Sequence, residues 1–218
     1  MRSTPSQLRR AAAGASLAAI MTLLVSCITL SGCTGSLFKS KAVPSSVYLL
    51  SAHVAPVHSS VAADLAVMRP RLRAGLDTDR IAVLYPDKRL DYFANARWSG
   101  PLDEVMQDLA VQAFAGAARL RNVSAEGSAF ASGYWLELQV DDFQAEYAAS
   151  GGVPTVHVHI TARLGTAGDR KLLGSFEATA DQAASDNRLS AVVDAFERAC
   201  NAALEQLVVD TSRTLAGT

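Results

Sequence analysis

The sequence predicts an α/β sandwich in which two amphipathic helices pack on a sheet of about six strands. Two segments carry apolar residues at intervals of three or four, which is the period of a helix with one buried face. Between them lies a long stretch in which apolar and polar residues alternate, as in strands with one solvated face. The chain without its first 32 residues is long enough for one domain with a single core.

The first third of the folded region is predicted to contribute short strands. Residues 47–54 are β-branched and aliphatic, and residues 65–68 form a second short candidate before a proline. Residues 80–85 are apolar on both faces, which predicts a strand that is covered on both sides. After a Pro86-Asp87 turn, residues 89–93 return as its hairpin partner.

The first helix has clear signals at its start. Ser99 or Gly100 can cap it, and Pro101 suits its first turn. The preceding Trp98 is predicted to fold onto the helix as a hydrophobic staple rather than to form a ligand platform. The apolar stripe of this helix consists of Leu102, Val105, Met106, Leu109, Ala113, Ala117 and Leu120.

A three-strand antiparallel meander follows. Apolar residues alternate from Tyr134, and their parity switches at Asp141-Asp142, which predicts a β-bulge or the end of a strand. Gly151-Gly152 turns the chain into the second strand, and a second turn at 165–169 leads into the third. One face of the meander is therefore expected to be dry and the other wet.

The last helix is predicted to start near Ser185 or Asp186. Polar residues that include Glu197 lie outside its stripe. The stripe itself consists of Leu189, Val192, Val193, Phe196, Cys200, Ala203, Leu207 and Val208.

The N-terminus has the pattern of a secretory signal. A head with three arginines precedes an uncharged apolar run over residues 11–30. The run ends in Leu30, Ser31, Gly32 and Cys33, which resembles the lipobox of bacterial lipoproteins. In that class the chain is cut between Gly32 and Cys33, and Cys33 carries the lipid. An uncleaved membrane anchor and a plain signal peptide with a coincidental cysteine are the alternatives.

The expected organisation is a signal peptide over residues 1–32, a lipidated tether over 33–46 and one domain over 47–218. Thr34 stands where enteric bacteria place Asp to retain a lipoprotein at the inner membrane, which favours the outer membrane. Without the three leader arginines, 17 basic and 21 acidic residues remain. This balance gives no electrostatic footprint for nucleic acid and no basic patch for anionic headgroups.

The residues that could carry chemistry are few. Cys27 leaves with the signal and Cys33 takes the lipid, so Cys200 has no partner for an intramolecular disulfide. Cys200 lies on an apolar stripe, where a cysteine acts as a small hydrophobe rather than a catalytic thiolate. His157 and His159 share a strand face, but zinc needs three or four ligands, which favours two solvent-facing histidines over a metal site.

The nucleotide and hydrolase motifs sought in the sequence are not found. The chain contains neither a Gly-rich loop that ends in Lys-Ser or Lys-Thr nor a Gly-x-Ser-x-Gly elbow. The sequence therefore predicts no catalytic residues, no cofactor and no metal, and places any ATP-driven step in another subunit.

Several short motifs together resemble one family. They are the lipobox, Tyr48-Leu49-Leu50, Arg80-Ile81, Tyr92, Ala96-Arg97-Trp98 and Pro101-Leu102. With these, the chain resembles the ABC-type transport auxiliary lipoproteins over nearly its whole mature length, most sharply over residues 79–109.

The resemblance implies a three-layer α/β sandwich with a mixed, largely antiparallel sheet and two main amphipathic helices. It also implies the outer-membrane lipoprotein of a mammalian-cell-entry (MCE) type lipid transport system, without catalytic residues. The implied partners are an MCE-domain periplasmic protein, a permease and an ATPase, with a homo-oligomer favoured because MCE proteins form rings. A structural or assembly lipoprotein that binds peptidoglycan or an outer-membrane complex is the runner-up, and a periplasmic hydrolase is a third class.

Overall fold

The computed structural model describes residues 44–58 and 60–218, which form a nine-stranded mixed sheet with two helices. The helices are α1 (Leu102–Ala117) and α2 (Leu189–Ala216). The strands are β1 (Ser46–Tyr48), β2 (Val61–Val67), β3 (Arg71–Leu72), β4 (Arg80–Leu84), β5 (Leu90–Trp98), β6 (Leu120–Ala125), β7 (Tyr134–Glu146), β8 (Thr155–Thr166) and β9 (Leu172–Ala183).

Strand β7 joins the two halves of the sheet. On one side it pairs antiparallel with β8 along its whole length, and β8 pairs antiparallel with β9. On its other side the short strands β2, β3 and β4 run parallel to it, one after another. Beyond these, β6 pairs with β2, β5 pairs antiparallel with β4, and β1 pairs parallel with β5. The predicted meander and hairpin are confirmed, and the longest pairings are antiparallel.

The parity switch predicted in the meander is a bulge in β7. The register against β8 shifts between Val140 and Asp142, so that Val140 and Phe143 both point into the core. Strand β4 is covered on both faces as predicted, since Ile81, Ala82 and Val83 are all buried.

The core lies between the helices and one face of the sheet. The alternate residues of β7 and β8 that face it are fully buried, and most of those on the opposite face are polar and partly exposed. Trp98 contributes to this core, with its ring centroid 5.2 Å from that of Phe196 on α2 and 5.9 Å from that of Phe143 on β7. Trp98 is therefore a packing residue of the core, and the rings that it meets edge-on belong to α2 and β7.

An extended segment crosses the helices on the side away from the sheet; we call residues 49–58 the strap. The backbone N–H of Ser51 donates to Glu197 Oε2 at 3.1 Å, and that of His53 donates to Asn201 Oδ1 at 2.6 Å. Leu50, Ala52 and Val54 pack against the core. The strand predicted over 47–54 therefore ends at Tyr48, and its alternating pattern reflects packing on helices.

The layers are thus the sheet, the two helices, which contact each other, and the strap. The expected mixed α/β fold with two main amphipathic helices is confirmed. In the described part of the chain, no helix is long and apolar enough to span a membrane.

Four details of the helices and strands differ from the prediction. Helix α1 has Pro101 at its N-cap without a side-chain cap, and α2 begins at Leu189 rather than near residue 185. Leu120 belongs to β6, not to the stripe of α1. Strands β3 and β6 were not predicted, since two and six residues without clear alternation give no local signal.

Candidate functional site

The predicted cleavage and lipidation residues, Gly32 and Cys33, lie outside the described residues. Cys200 is described, and it is only 2% exposed on the core side of α2. Burial, with a smaller contribution from the nearby Glu197 carboxylate, raises the pKa of the Cys200 thiol to about 12. A thiol that stays protonated and buried is a packing group, as predicted, and a poor nucleophile.

The open face of the sheet carries a group that we call the histidine patch. It is built across three strands, with the two histidines on β8 between carboxylates on β7 and β9. His157 Nδ1 lies 2.7 Å from Asp181 Oδ1, and its Nε2 lies 3.8 Å from Glu146 Oε2. His159 Nε2 lies 2.7 Å from Glu177 Oε1. The patch consists of His157, His159, Asp142, Glu146, Glu177 and Asp181.

Both histidines of the patch are partly exposed, with side chains 33% and 27% accessible. Each already has a carboxylate partner on a neighbouring strand, and Asp142 also accepts a hydrogen bond from Arg73 at 2.9 Å. Within residues 44–58 and 60–218, no three His, Cys, Asp or Glu side chains are arranged to hold a metal ion. The patch therefore acts as a solvated charge network, each contact of which contributes little to stability.

A second feature of the open face is a groove beside the first residues of β7, which we call the end groove. It has a volume of about 700 Å³ and is bounded by the β6–β7 loop, the segment around β3 and the β8–β9 turn. Its lining includes Met68, Phe130, Trp135, Arg69, Arg71 and Arg170. A cavity of this size, with aromatic walls and a few charged groups, falls in the range of small-molecule sites.

Trp135 is held firmly in the end groove. Its indole N–H donates to the carbonyl of Thr166 at 3.0 Å. Its ring also lies over the neighbouring strand at Gly165, where a Cβ would clash with Trp135 Cζ2. Glycine at 165 therefore makes room for the ring.

The β6–β7 loop presents one large apolar side chain. Phe130 is 70% exposed, and small residues with a glycine at each end surround it in the sequence Gly-Ser-Ala-Phe-Ala-Ser-Gly. The loop is joined to the β8–β9 turn, because the backbone N–H of Ala167 donates to the Gly133 carbonyl at 2.8 Å. An outward tryptophan and a glycine-bounded phenylalanine are the sequence signals that could have indicated this groove.

Two of the three groove arginines are neutralised by carboxylates. Arg69 donates to Asp103 and to Glu104 at the start of α1, and the bond from Arg69 holds the pKa of Asp103 below its usual value. Arg71 pairs with Glu137 at 2.9 Å. Arg170 has no carboxylate within ion-pair distance among the described residues.

The sequence model of one family, described as the ABC-type transport auxiliary lipoprotein component, matches residues 48–208. The chain belongs to this family. Membership in the auxiliary lipoproteins indicates an auxiliary role in ABC-type transport and anchoring by lipid. No curated protein matches the chain.

Solved structures support the same assignment. Protein XCC0632 from Xanthomonas campestris is 25% identical, with a TM-score of 0.71 over 79% of this chain and 98% of that one. A second crystal structure, of an uncharacterised protein, has a TM-score of 0.57 at 14% identity over 78% of this chain and 98% of its own. The second likeness shows the fold alone. The fold is thus shared over 98% of each of the two solved proteins and over 79% and 78% of this chain.

Proposed function

We propose that this auxiliary lipoprotein is the outer-membrane component of an MCE-type ABC transport system that moves lipids between the inner and outer membranes. It acts as the docking or accepting subunit, facing the periplasm. The observation that carries the proposal is the family match over residues 48–208, in a chain whose residues 30–33 resemble a lipobox. Its partners are an MCE-domain periplasmic protein and, in the same system, a permease and an ATPase.

The role proposed is one of contact rather than chemistry. The thiol of Cys200 is buried, and the two histidines of the patch are engaged by carboxylates. The surfaces left for function are those that bind, and the end groove is one of them. We also infer a homo-oligomer, because the MCE proteins with which the subunit would dock are ring assemblies.

The membrane attachment in this proposal is a lipid on Cys33, with cleavage after Gly32. Cys33→Ala should block lipobox processing, so that the precursor keeps its leader. Mass spectrometry of the wild-type mature N-terminus should find an acylated cysteine. An unmodified N-terminus at another residue would contradict the anchor.

The partner is tested by mild cross-linking in cells, followed by purification of the lipoprotein from detergent-solubilised membranes. Recovery of an MCE-domain protein would support the proposal. Recovery of cell-wall or outer-membrane assembly proteins alone would overturn it in favour of a structural lipoprotein. A double variant, His157→Ala with His159→Ala, should retain the same partner, and its loss would give the histidine patch a role in docking.

A further inference from the structure

We propose that the end groove binds an amphiphile with one acyl chain and an anionic group, the chain lying against Trp135 and Phe130 and the anion against Arg170. The inference rests on the proposed function only for the source of the molecule, a membrane lipid in transit. The binding itself follows from the groove.

The apolar part of the proposed ligand is indicated by the two aromatic rings. Trp135 is fixed by its hydrogen bond to Thr166 and by the space at Gly165, so it offers a preformed wall. Phe130, 70% exposed on a loop of small residues, can close over a chain that lies on that wall. Exposed aromatic surface beside a groove is typical of a binding site whose ligand covers that surface.

The anionic part is indicated by the charge at the groove. The lining contains three arginines and two glutamates, Glu126 and Glu137. Glu137 pairs with Arg71, and Glu126 accepts the backbone N–H of Arg69 at 3.1 Å. Arg170 is therefore the arginine of the described lining that forms no ion pair. A guanidinium binds phosphate or carboxylate with paired hydrogen bonds.

A peptide fits the end groove less well than an amphiphile. An extended peptide gains affinity by adding a strand to an exposed sheet edge. Strands β2 and β7 offer no such edge, because β2 pairs with β6 and β7, and β7 pairs with β8 and β2. Strands β3 and β6, which each pair on one side, contribute one lining residue apiece, Arg71 and Ala125. The groove thus offers side chains rather than backbone partners, which suits a flexible chain without backbone amides.

The experiment uses Trp135 as its own reporter. The chain has two tryptophans, and Trp98 is only 2% exposed in the core, so a bromine atom carried on an acyl chain reaches Trp135 alone. The full-length lipoprotein in a non-ionic detergent is titrated with lysophosphatidylglycerol whose chain is brominated. We expect saturable quenching that disappears in Trp135→Phe and weakens in Phe130→Ser.

The charge is tested with Arg170→Gln. This variant should raise the half-saturating concentration of the phosphatidylglycerol probe about fivefold, as expected for one exposed ion pair. It should leave unchanged the value for a brominated monoacylglycerol, which has the acyl chain but no anionic group. A brominated fatty acid carries a carboxylate in place of the phosphodiester. Comparing its half-saturating concentration with that of the lysophospholipid shows whether a phospholipid or a free fatty acid is the preferred ligand.

Leu172→Ser is the matched control, because Leu172 is an exposed apolar residue at the start of β9 outside the groove lining. The brominated lipid should quench the Trp135 fluorescence of Leu172→Ser as it does in the wild type. Absent quenching, or equal losses in Leu172→Ser and Phe130→Ser, would overturn the inference. The two proposals can fail separately. If the wild type shows no quenching but cross-linking still recovers the MCE-domain protein, also with Phe130→Ser, the groove inference fails while the proposed function stands.

Discussion

Replacing Phe196 by alanine tests the centre of the core. Phe196 is fully buried on α2, and its ring centroid lies 5.2 Å from that of Trp98 and 5.0 Å from that of Phe143. These two rings belong to β5 and β7, so this one side chain couples the last helix to two parts of the sheet. The substitution removes all of these contacts and leaves a cavity.

The expected cost is large compared with the stability of a single domain. Phe→Ala at a buried site destabilises by about 3–5 kcal/mol, from lost burial and the residual cavity. The two close aromatic contacts place Phe196→Ala in the upper half of that range, because such pairs contribute about 0.5–1.5 kcal/mol beyond burial. Domains are typically stable by about 5–15 kcal/mol, so the variant should fold with a much lower urea midpoint.

Urea unfolding monitored by circular dichroism provides the measurement, and the same helix supplies the controls. Asp194→Ala should stay within about 0.5 kcal/mol, since Asp194 is exposed and makes no hydrogen bond or ion pair in the described part of the chain. Glu197→Ala should cost about 1 kcal/mol, because its carboxylate accepts the N–H of Ser51 in the strap. Equal midpoints for Phe196→Ala and Asp194→Ala would refute the packing described for α2.

Three further outcomes are expected. The hydrogen bond from Arg121 lowers the pKa of the Asp64 carboxyl in the folded protein. The stability that this carboxylate contributes is therefore complete above its unfolded-state pKa of about 3.9 and is lost as the pH falls through the lower folded-state pKa. Urea midpoints measured against pH should show this loss of stability, and the loss should be smaller in Arg121→Gln. Gly165→Ala should cost about 1–3 kcal/mol and shift Trp135 emission, because the new Cβ meets the indole. Cys200 should resist alkylation at pH 8 until urea unfolds the chain, a result that alkylation of the native protein would contradict.

The parts of the fold that the sequence predicts are those with local signals. The β7–β8–β9 meander follows from period-two alternation and paired glycines, and even the bulge at Asp141-Asp142 is visible as a change of parity. The apolar stripe of α2 correctly places Phe196 and Cys200 in the core.

The parallel pairings had no such signal. Nothing in residues 61–72 indicates that β2 and β3 lie end to end along β7, since parallel neighbours are brought together by long connections. The strap has the alternation of a strand, and only tertiary packing decides that Leu50 and Val54 meet the core over the helices instead of joining the sheet.

The end groove was missed for a related reason. The outward direction of Trp135 follows from its position in β7, but its role depends on a loop and a turn that are distant in sequence. Phe130 and Arg170 lie 40 residues apart in the chain and line the same groove because the β8–β9 turn bonds to the base of the β6–β7 loop. Such proximity between loops cannot be read from periodicity.

The strap also determines how the folded domain responds to a mechanical force applied at the N-terminal end of the described residues. Tension at residue 44 loads the three-residue pairing of β1 with β5 first, and then the bonds from Ser51 and His53 to α2. Peeling away residues 46–58 leaves the pairings of β2 to β9 in place and releases about 45 Å of extended chain. The reach of an anchored domain would therefore increase under load before the pairings of β2 to β9 bear any force.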